Sequence, residues 1–473
     1  MTNLYCLAHR DVHRIKVDEI LGLLITTHTK GGIRVTDVKT GKLLWRLSLN
    51  YVRPYAHLEY ERGFMIFDRM TNEKEVWRLS TNCDLAQMTP ASPPDAQQME
   101  EYQKSIRRFP DITRGHFRPW ALFGIPEPTT AYRFVYPTLV TMSRSTAYLC
   151  DVPTGQFIRE IQGIQDGDVP LGRIAYVELS AQYVFVCGMR QFRVFSRANG
   201  AQVLWISNNQ PTFAHTRIQL EADQDARAKE FDQVVSALHA RLFSTPKVNP
   251  PPLNFVAVHV SRSGRDLVIL MDDNRLLLVQ DFERIIKDEV ELTDVALEVH
   301  LPNQLKRGSS VYLAYEHGRV SVVTASGVYI LTLDVARHGL FDPSRFADDT
   351  YVAPGMIENI PSLPPDIPFP YLSAVFVPRL RHGYALYQVS CLQMTATKVF
   401  LTWDSRLVPR PRILNGRGQP DRLREQDVEY MDGFLLSFGI PLGEDLEADE
   451  ELDEDENAFI WEEDLDTGSY FSY

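Results

Sequence analysis

The feature that most constrains this chain is a strand–turn–strand unit that recurs along it. The first copy, "GIRVTDVKTGKLLWRL", spans residues 32–47, and "STAYLCDVPTGQFIREI" at 145–161 repeats its Asp-Val-x-Thr-Gly turn. A third copy, "MRQFRVFSRANGAQVLWI" at 189–206, has Asn199-Gly200 at the turn. Apolar and polar residues alternate on both sides of each glycine, a pattern that predicts antiparallel β-strands joined by tight turns.

Weaker copies bring the number of units to seven. The residues at the repeated last-strand position are Thr36, Trp77, Cys150, Phe195, Gln280, Leu333 and Trp403. The clean steps, 41 residues from Thr36 to Trp77 and 45 from Cys150 to Phe195, match one four-stranded propeller blade. Radial packing of such sheets protects their edges. The sequence therefore predicts an all-β, roughly seven-bladed β-propeller over residues 1–440, closed by an N-terminal strand within "NLYCLAHRDV".

Three insertions interrupt the repeats, and in a propeller they belong between strands or blades. Residues 81–119 contain a Pro-started stretch that predicts a helix, and residues 336–370 are Pro-rich and predict a long loop. Residues 207–253 predict an amphipathic helix, because apolar residues recur there at helical spacing. Its apolar face would contain Phe231, Val234, Val235, Leu238 and Leu242.

The net charge of −13 is concentrated at the C-terminus. Residues 443–473 hold fourteen Asp or Glu and no Lys or Arg, which leaves 48 acidic and 49 basic residues in the remainder. We therefore predict a disordered acidic tail over residues 441–473 and no nucleic-acid-binding face on the balanced body.

The sequence gives no sign of secretion or of membrane insertion. Its apolar runs are only strand-sized, and the N-terminus lacks the pattern of a signal peptide. The five cysteines are scattered without a CxxC pair, as is usual in a reducing compartment. We expect a monomeric cytoplasmic or nuclear protein that does not associate with membranes.

No assembled catalytic, cofactor or metal site is predicted. His9 and His13 are four residues apart but flank a strand rather than share a helix face, and Asp272-Asp273-Asn274 reads as a hairpin turn rather than a calcium loop. Aromatic residues at strand ends, among them Trp45, Trp77 and Trp205, are expected to pack between blades.

Two groups of residues are candidates for partner binding. Arginines near the C-terminal end of the propeller either line an anionic groove or face solvent and the acidic tail. Three apolar residues in the tail either dock on that basic loop or on a partner, or are incidental to a solubilising segment. These residues are Arg379, Arg381, Arg406, Arg410, Arg412, Phe459, Ile460 and Trp461.

The repeats resemble WD40-type propellers in a degenerate form, because only Trp403-Asp404 keeps the signature dipeptide. More specifically, "KEVWRL", "GHFRPWALFGIPEPTTAYRFVYPTLV" and "AYLCDVPTGQFIREI" resemble the propeller region of F-box proteins from mushroom-forming fungi. The resemblance implies a non-enzymatic scaffold that presents substrates to an SCF-type ubiquitin ligase. The chain opens directly on propeller strands, so we expect that the F-box itself is missing.

An enzyme of a different class is the alternative. "TDVKTGKLLWRL" and "RANGAQVLWIS" are also similar to repeats of quinoprotein dehydrogenases. That resemblance would imply a pyrroloquinoline quinone cofactor and a calcium ion. Those enzymes have eight blades and often a vicinal disulfide, whereas this sequence has about seven units and no adjacent cysteines.

Overall fold

A computed structural model describes most of the repeat region. The described residues are 2–6, 12–70, 73–81, 89–110, 114–210, 212–222, 236–242, 253–302, 310–316, 318–325, 327–333, 372–376, 386, 389–395, 398–403 and 434–438. Met1–Pro441 form one compact unit, and all described residues belong to it. The predicted 336–370 loop and the predicted acidic tail lie outside the described residues.

The strands of the described residues form six sheets, and the first four are antiparallel meanders of four strands each. Sheet 1 contains β2 (Val12–Asp18), β3 (Leu23–His28), β4 (Ile33–Asp37) and β5 (Leu43–Leu47). Sheet 2 contains β6 (Leu58–Glu61), β7 (Phe64–Asp68), β8 (Lys74–Leu79) and β9 (Phe117–Phe123). Sheet 3 contains β10 (Ala131–Val135), β11 (Thr138–Met142), β12 (Ala147–Asp151) and β13 (Gln156–Ile161). Sheet 4 contains β14 (Ile174–Leu179), β15 (Tyr183–Gly188), β16 (Gln191–Ser196) and β17 (Gln202–Ser207).

The repeated Asp-Val-x-Thr-Gly sequence has a local physical cause. Asp37 Oδ1 accepts hydrogen bonds from the amides of Lys39 and Thr40 at 2.9 and 2.8 Å, and Gly41 has a φ of +69°. In the second copy Asp151 Oδ1 accepts from the amide of Thr154 at 2.9 Å. The aspartate therefore closes the turn, and glycine occupies the left-handed conformation that other residues adopt at a cost.

The fifth sheet has ten strands and contains two four-stranded meanders joined through a hairpin. One meander is β20 (Phe255–Val260), β21 (Leu267–Met271), β22 (Arg275–Val279) and β23 (Ala296–His300). The other is β24 (Ser310–Glu316), β25 (Arg319–Thr324), β26 (Gly327–Thr332) and β27 (Ser373–Phe376). The hairpin of β18 (Thr216–Ala222) and β19 (Ser236–Leu242) pairs with β23 on one side and with β27 on the other.

The helix predicted within 207–253 is therefore wrong over its described part. Residues 236–242 form a strand, in which Leu238 pairs with Ala222 and with Ala374. Leu238, Ala240 and Leu242 also satisfy a two-residue period, so the stretch is compatible with both structures. The exposed backbone groups of β23 and β27 supply hydrogen-bond partners that only a strand can use. Phe231, Val234 and Val235 lie outside the described residues.

The sixth sheet joins the two ends of the propeller, as predicted. It orders β28 (Val389–Met394), β29 (Val399–Trp403), β30 (Phe434–Phe438) and β1 (Thr2–Cys6). The N-terminal strand β1 pairs antiparallel with β30, from Thr2 opposite Phe438 to Cys6 opposite Phe434. Closure by the N-terminal strand is confirmed.

The repeated residues fall at one structural position in the first four sheets. In each, the pairing of the third and fourth strands shifts register next to Thr36, Trp77, Cys150 or Phe195. These residues are thus on third strands, with a further outer strand after them, rather than on last strands. Gln280 and Leu333 directly follow β22 and β26, whereas Trp403 ends β29, the second strand of its sheet. The prediction for the final unit is therefore wrong by one strand. Trp403 lies on the second strand of its sheet, and the third strand is β30.

The first strands of the units surround a common axis. In order around it, β2, β6, β10, β14, β20, β24 and β28 each contact the next, and β28 contacts β2. Buried apolar clusters fill the spaces between neighbouring sheets. The fold is an all-β propeller, in which the strand pairing defines six sheets rather than seven separate ones.

The tryptophans differ in their packing. Trp45 of sheet 1 and Trp77 of sheet 2 are buried with ring centroids 5.7 Å apart, so their predicted packing between sheets is confirmed. Trp205 is 54 % exposed, which contradicts that prediction. It lies on the outer strand β17 between Leu204 and Ile206, which pack toward the ten-stranded sheet, so the alternation directs Trp205 to the opposite face.

The first insertion forms a helix, as predicted. Helix α1 (Ala96–Arg108) follows two prolines and begins with a capping box, in which Asp95 accepts from the amide of Gln98 at 2.9 Å. It packs against the outer strands β5 and β9, and Ser105 Oγ accepts from Trp45 Nε1 at 3.3 Å. Two short helices follow β22, namely α2 (Glu283–Ile286) and α3 (Leu292–Val295). Within the described ranges, no helix is long and apolar enough to cross a membrane.

Candidate functional site

Charged and polar side chains on the inner strands meet around the axis. Five neighbouring inner strands each contribute one side chain to a chain of charge pairs. We call these residues the inner-strand network: Lys16 on β2, Glu59 on β6, Arg133 on β10, Glu178 on β14 and His259 on β20. Because the strands are adjacent, the network crosses from sheet 1 to the ten-stranded sheet.

The network alternates positive and negative groups along its length. Lys16 Nζ lies 2.9 Å from Glu59 Oε2, and Arg133 Nη1 lies 3.3 Å from the same oxygen. Arg133 Nε donates to Glu178 Oε1 at 3.0 Å, and His259 Nδ1 lies 2.8 Å from Glu178 Oε2. Each carboxylate therefore lies between two basic side chains. Buried carboxylates require such partners, because an unpaired charge is costly to remove from water.

The surroundings keep both carboxylates ionised. Burial opposes ionisation of Glu59, but Lys16 and Arg133 outweigh it and hold the pKa of that carboxyl well below its usual range. Burial likewise opposes ionisation of Glu178, while Arg133 and the hydrogen bond from His259 hold its pKa below the ordinary value. The network therefore carries fixed charges at neutral pH. Its ion pairs cross the four interfaces between successive sheets, from sheet 1 to the ten-stranded sheet.

One end of the inner strands carries a second group of side chains, which we call the axial mouth: His13, Arg14, Arg53, Tyr55 and His57. His13 and Arg14 lie on β2, and the others belong to the connection between β5 and β6. His13 meets the Tyr55 ring edge-on with centroids 5.4 Å apart. His57 Nε2 lies 3.0 Å from Glu59 Oε1, which ties the mouth to the network.

Burial and neighbouring positive charge keep the mouth histidines neutral. Burial is the main cause that lowers the pKa of His13 to about 2, with further contributions from Arg14, His57 and Arg53. Burial also lowers the pKa of His57, and the hydrogen bond with Glu59 opposes that shift only in part. The positive charge of the mouth therefore comes from its arginines.

Arg14 also links the mouth across the junction between the two ends of the chain. Its guanidinium donates to the carbonyl of Ser390 on β28 and to Tyr312 Oη on β24, the latter at 3.4 Å. Tyr312 Oη donates to the same Ser390 carbonyl at 2.7 Å. These contacts connect β2 with the last two inner strands.

The partner-binding residues predicted from the sequence all lie outside the described residues. They are Arg379, Arg381, Arg406, Arg410, Arg412, Phe459, Ile460 and Trp461. Their predicted role stays a prediction. His9 also lies outside, whereas His13 lies within the strand β2 and does not flank it as predicted. Asp272-Asp273-Asn274 connects β21 with β22, and Asn274 has a φ of +68°, so the predicted hairpin turn is confirmed.

Sequence reasoning missed the inner-strand network, although a signal for it exists. The strands "AYRFV", "IAYVEL" and "FVAVHV" each place a single charged or histidine side chain among apolar and aromatic residues. A charge inside a strand that is buried on both faces needs a partner. Which strands supply the partners depends on the circular order of the sheets, which the strand pattern alone does not give.

No protein-family model and no curated protein matches the chain. Among solved structures, it is similar to the computationally designed Ika8 protein at 13 % identity and a TM-score of 0.40, covering 83 % of this chain and 93 % of that one. It is also similar to the Cps50 (Swd1) β-propeller domain of Myceliophteria thermophila at 8 % identity and a TM-score of 0.40, covering 70 % and 86 %. The description as a propeller rests on the strand pairing and the circular order of the inner strands.

Proposed function

We propose that this protein is a non-enzymatic scaffold that binds other proteins, and that the axial mouth is its binding surface. The observation that carries the proposal is the mouth itself, where the exposed Tyr55 ring and two half-buried arginines, Arg14 and Arg53, sit on an internally paired charge network. Such a rigid frame with exposed anchors suits recognition, because little side-chain freedom is lost on binding.

Several features support a role in binding rather than in catalysis. Burial raises the pKa of the Cys150 thiol to about 12 and raises the pKa of the Cys187 thiol as well, so neither is a ready nucleophile. The network carboxylates are saturated by their partners. Quinone-dependent dehydrogenation is the rival activity.

We further propose that the propeller has seven blades and that it recognises substrate proteins. The ten-stranded sheet counts as two blades whose outer edges the β18–β19 hairpin joins, which makes seven in all and accords with the seven inner strands. The propeller would act as a monomer in the cytoplasm or nucleus and recognise substrates in the manner of F-box proteins. The arginines at 379–412 and the Phe459–Trp461 segment would add partner contacts outside the mouth.

Crosslinking in cells that express the tagged full chain tests the scaffold role. We expect partner proteins crosslinked reproducibly to propeller residues, and recovery of the SCF adaptor would support the ligase link. The purified chain is assayed in parallel for dye reduction with alcohols or sugars after addition of pyrroloquinoline quinone and calcium. Turnover in that assay, or a propeller without protein crosslinks, would contradict the proposal.

A further inference from the structure

The most exposed member of the axial mouth is held in an unusual backbone conformation. Tyr55 is 59 % exposed and has a φ of +54°, a region that residues other than glycine, asparagine and aspartate seldom occupy. Its amide donates to the carbonyl of His28 at 3.3 Å, and its ring is held against His13. Residues in such conformations cluster at ligand-binding sites, where the rest of the fold holds them in place.

The positive charge of the mouth is not neutralised from within. Glu59, the nearest network carboxylate, already serves Lys16, Arg133 and His57. Arg53 makes no hydrogen bond or ion pair with any residue that the structure describes. Its charge nevertheless lowers the pKa of His13 and acts in the same direction on Lys74. Arg53 therefore lies close enough to β2 and β8 to influence the pKa values of His13 and Lys74. No residue in the described part forms a hydrogen bond or ion pair with it.

Apolar surface accompanies this charge at the same end of the sheets. Met70, in the turn between β7 and β8, is 69 % exposed. That turn and the connection holding Arg53 and Tyr55 share one buried anchor, Glu75. Glu75 accepts from Tyr51 Oη at 2.6 Å and from Arg69 Nε at 2.7 Å. The two loops are therefore fixed relative to each other.

We propose that the axial mouth binds an acidic peptide segment of a partner protein, with a carboxylate on Arg53 and an apolar side chain on Tyr55 and Met70. The inference deepens the proposed scaffold role and rests on it. A cation that no described residue pairs with, beside an exposed aromatic ring and a methionine, suits a peptide that mixes Asp or Glu with large apolar residues.

The same charges favour a peptide over a nucleic acid. Nucleic-acid binding gains its affinity from several phosphate contacts made together, which calls for a cluster of free Lys or Arg. Here Lys16 and Arg133 are paired with Glu59, and Arg14 is engaged by Ser390 and Tyr312. Neutral acceptors thus hold Arg14 in place, and Arg53 is the mouth arginine without a hydrogen-bond or ion-pair partner among the described residues. The mouth therefore presents one such arginine flanked by apolar surface rather than a cluster of free cations.

Fluorescence anisotropy with defined peptides tests the inference on the full chain. The probe is a fluorescein-labelled twelve-residue peptide of alternating Glu and Phe or Leu, and the control probe carries Lys at every Glu position. We expect the acidic probe alone to bind, with an affinity that falls as sodium chloride is raised. Arg53→Glu should weaken binding at least about tenfold, as expected when a desolvated charge contact becomes repulsive.

Matched variants separate recognition from folding. Tyr55→Asn, which tolerates the left-handed backbone, should also weaken binding, whereas Arg53→Lys should retain most of it. Arg159→Glu on the outer strand β13 makes the same charge change away from the mouth and should leave binding unchanged. Circular dichroism and thermal melting confirm that each variant is folded.

Three outcomes would overturn the inference. Equal binding of the acidic probe to the wild type and to folded Arg53→Glu would exclude the mouth as the peptide-binding site. The scaffold role would still stand in that case if partner proteins are crosslinked in cells. Binding of a single-stranded oligonucleotide instead of the acidic probe, with the same dependence on Arg53, would replace the peptide by a nucleic acid. A chain with no partner in cells and no probe binding would defeat both proposals.

Discussion

At the scale of single residues, the stability of this propeller depends on a few buried charges. Glu178 is the clearest case, because it receives Arg133 Nε, the His259 ring and the amide of Leu179. We expect Glu178→Ala to lower the free energy of unfolding by about 3 kcal/mol, since it leaves the half-buried Arg133 with only Glu59 as an acidic partner. Urea denaturation measures this value. Glu221→Ala, which removes an exposed partner of Arg241, should change stability by less than about 0.5 kcal/mol. Equal effects would contradict the assigned role.

Replacing a second buried charge, Arg78, should raise the free energy of unfolding rather than lower it. Arg78 on β8 is fully buried, and its Nε and Nη1 find no hydrogen-bond partner among the described residues. Its Cζ lies 4.2 Å from the ring centroid of Trp120, an interaction of about 2 kcal/mol when desolvated. Because desolvating a cation costs more than this, Arg78→Met should raise the free energy of unfolding by about 1 kcal/mol. Arg118→Met, on the neighbouring strand, is the control, and a clear loss at Arg78 would show that the ring contact outweighs desolvation.

At the scale of elements, the β18–β19 hairpin decides how the ten-stranded sheet is assembled. In β19, Ala240 is on the same side as Leu238 and packs against the apolar cluster of this sheet. In the helix that the sequence predicts, residue 240 would instead lie on the polar face. We expect Ala240→Asp to lower the free energy of unfolding by roughly 2 kcal/mol, because it buries a charge, and exposed Arg241→Asp to leave it nearly unchanged. Thermal melts compare the two variants, and a neutral Ala240→Asp would favour the helix.

At the scale of the whole molecule, the axis couples stability to pH. The folded-state pKa of His13, about 2, is below the ordinary value of 6.5, so the unfolded chain binds a proton that the folded chain excludes. The resulting stability is complete above pH 6.5 and is lost as pH falls below it. Between pH 7.5 and pH 5.5 the loss is about 1.4 kcal/mol for His13, and His57 acts in the same direction. The contributions of Glu59 and Glu178, whose pKa values are also lowered, are lost only at more acidic pH.

Urea denaturation at several pH values measures this dependence. His13→Phe keeps a neutral ring beside Tyr55 and should flatten the profile between pH 7.5 and pH 5.5. His215, an exposed histidine for which the same replacement removes no buried ring, is the control. An unchanged slope in His13→Phe would show that another group carries the pH dependence.

Sequence alone determined the features that are local to a few residues. The Asp-Val-x-Thr-Gly turns, the strand alternation and the capped helix α1 each follow from hydrogen bonds or periodicity within one segment. The repeat pattern also predicts a closing N-terminal strand, although its hydrogen bonds are made with β30 at the other end of the chain. The tertiary structure decided what depends on neighbours distant in sequence. Residues 236–242 form a strand because two sheet edges lack partners. Trp205 is exposed because it lies on the face of the outer strand β17 that points away from the ten-stranded sheet, whereas helix α1 covers Trp45 on the outer strand β5. The inner-strand network exists because circular packing brings Glu59, Arg133 and Glu178 together from three separate sheets, a proximity that no single strand encodes.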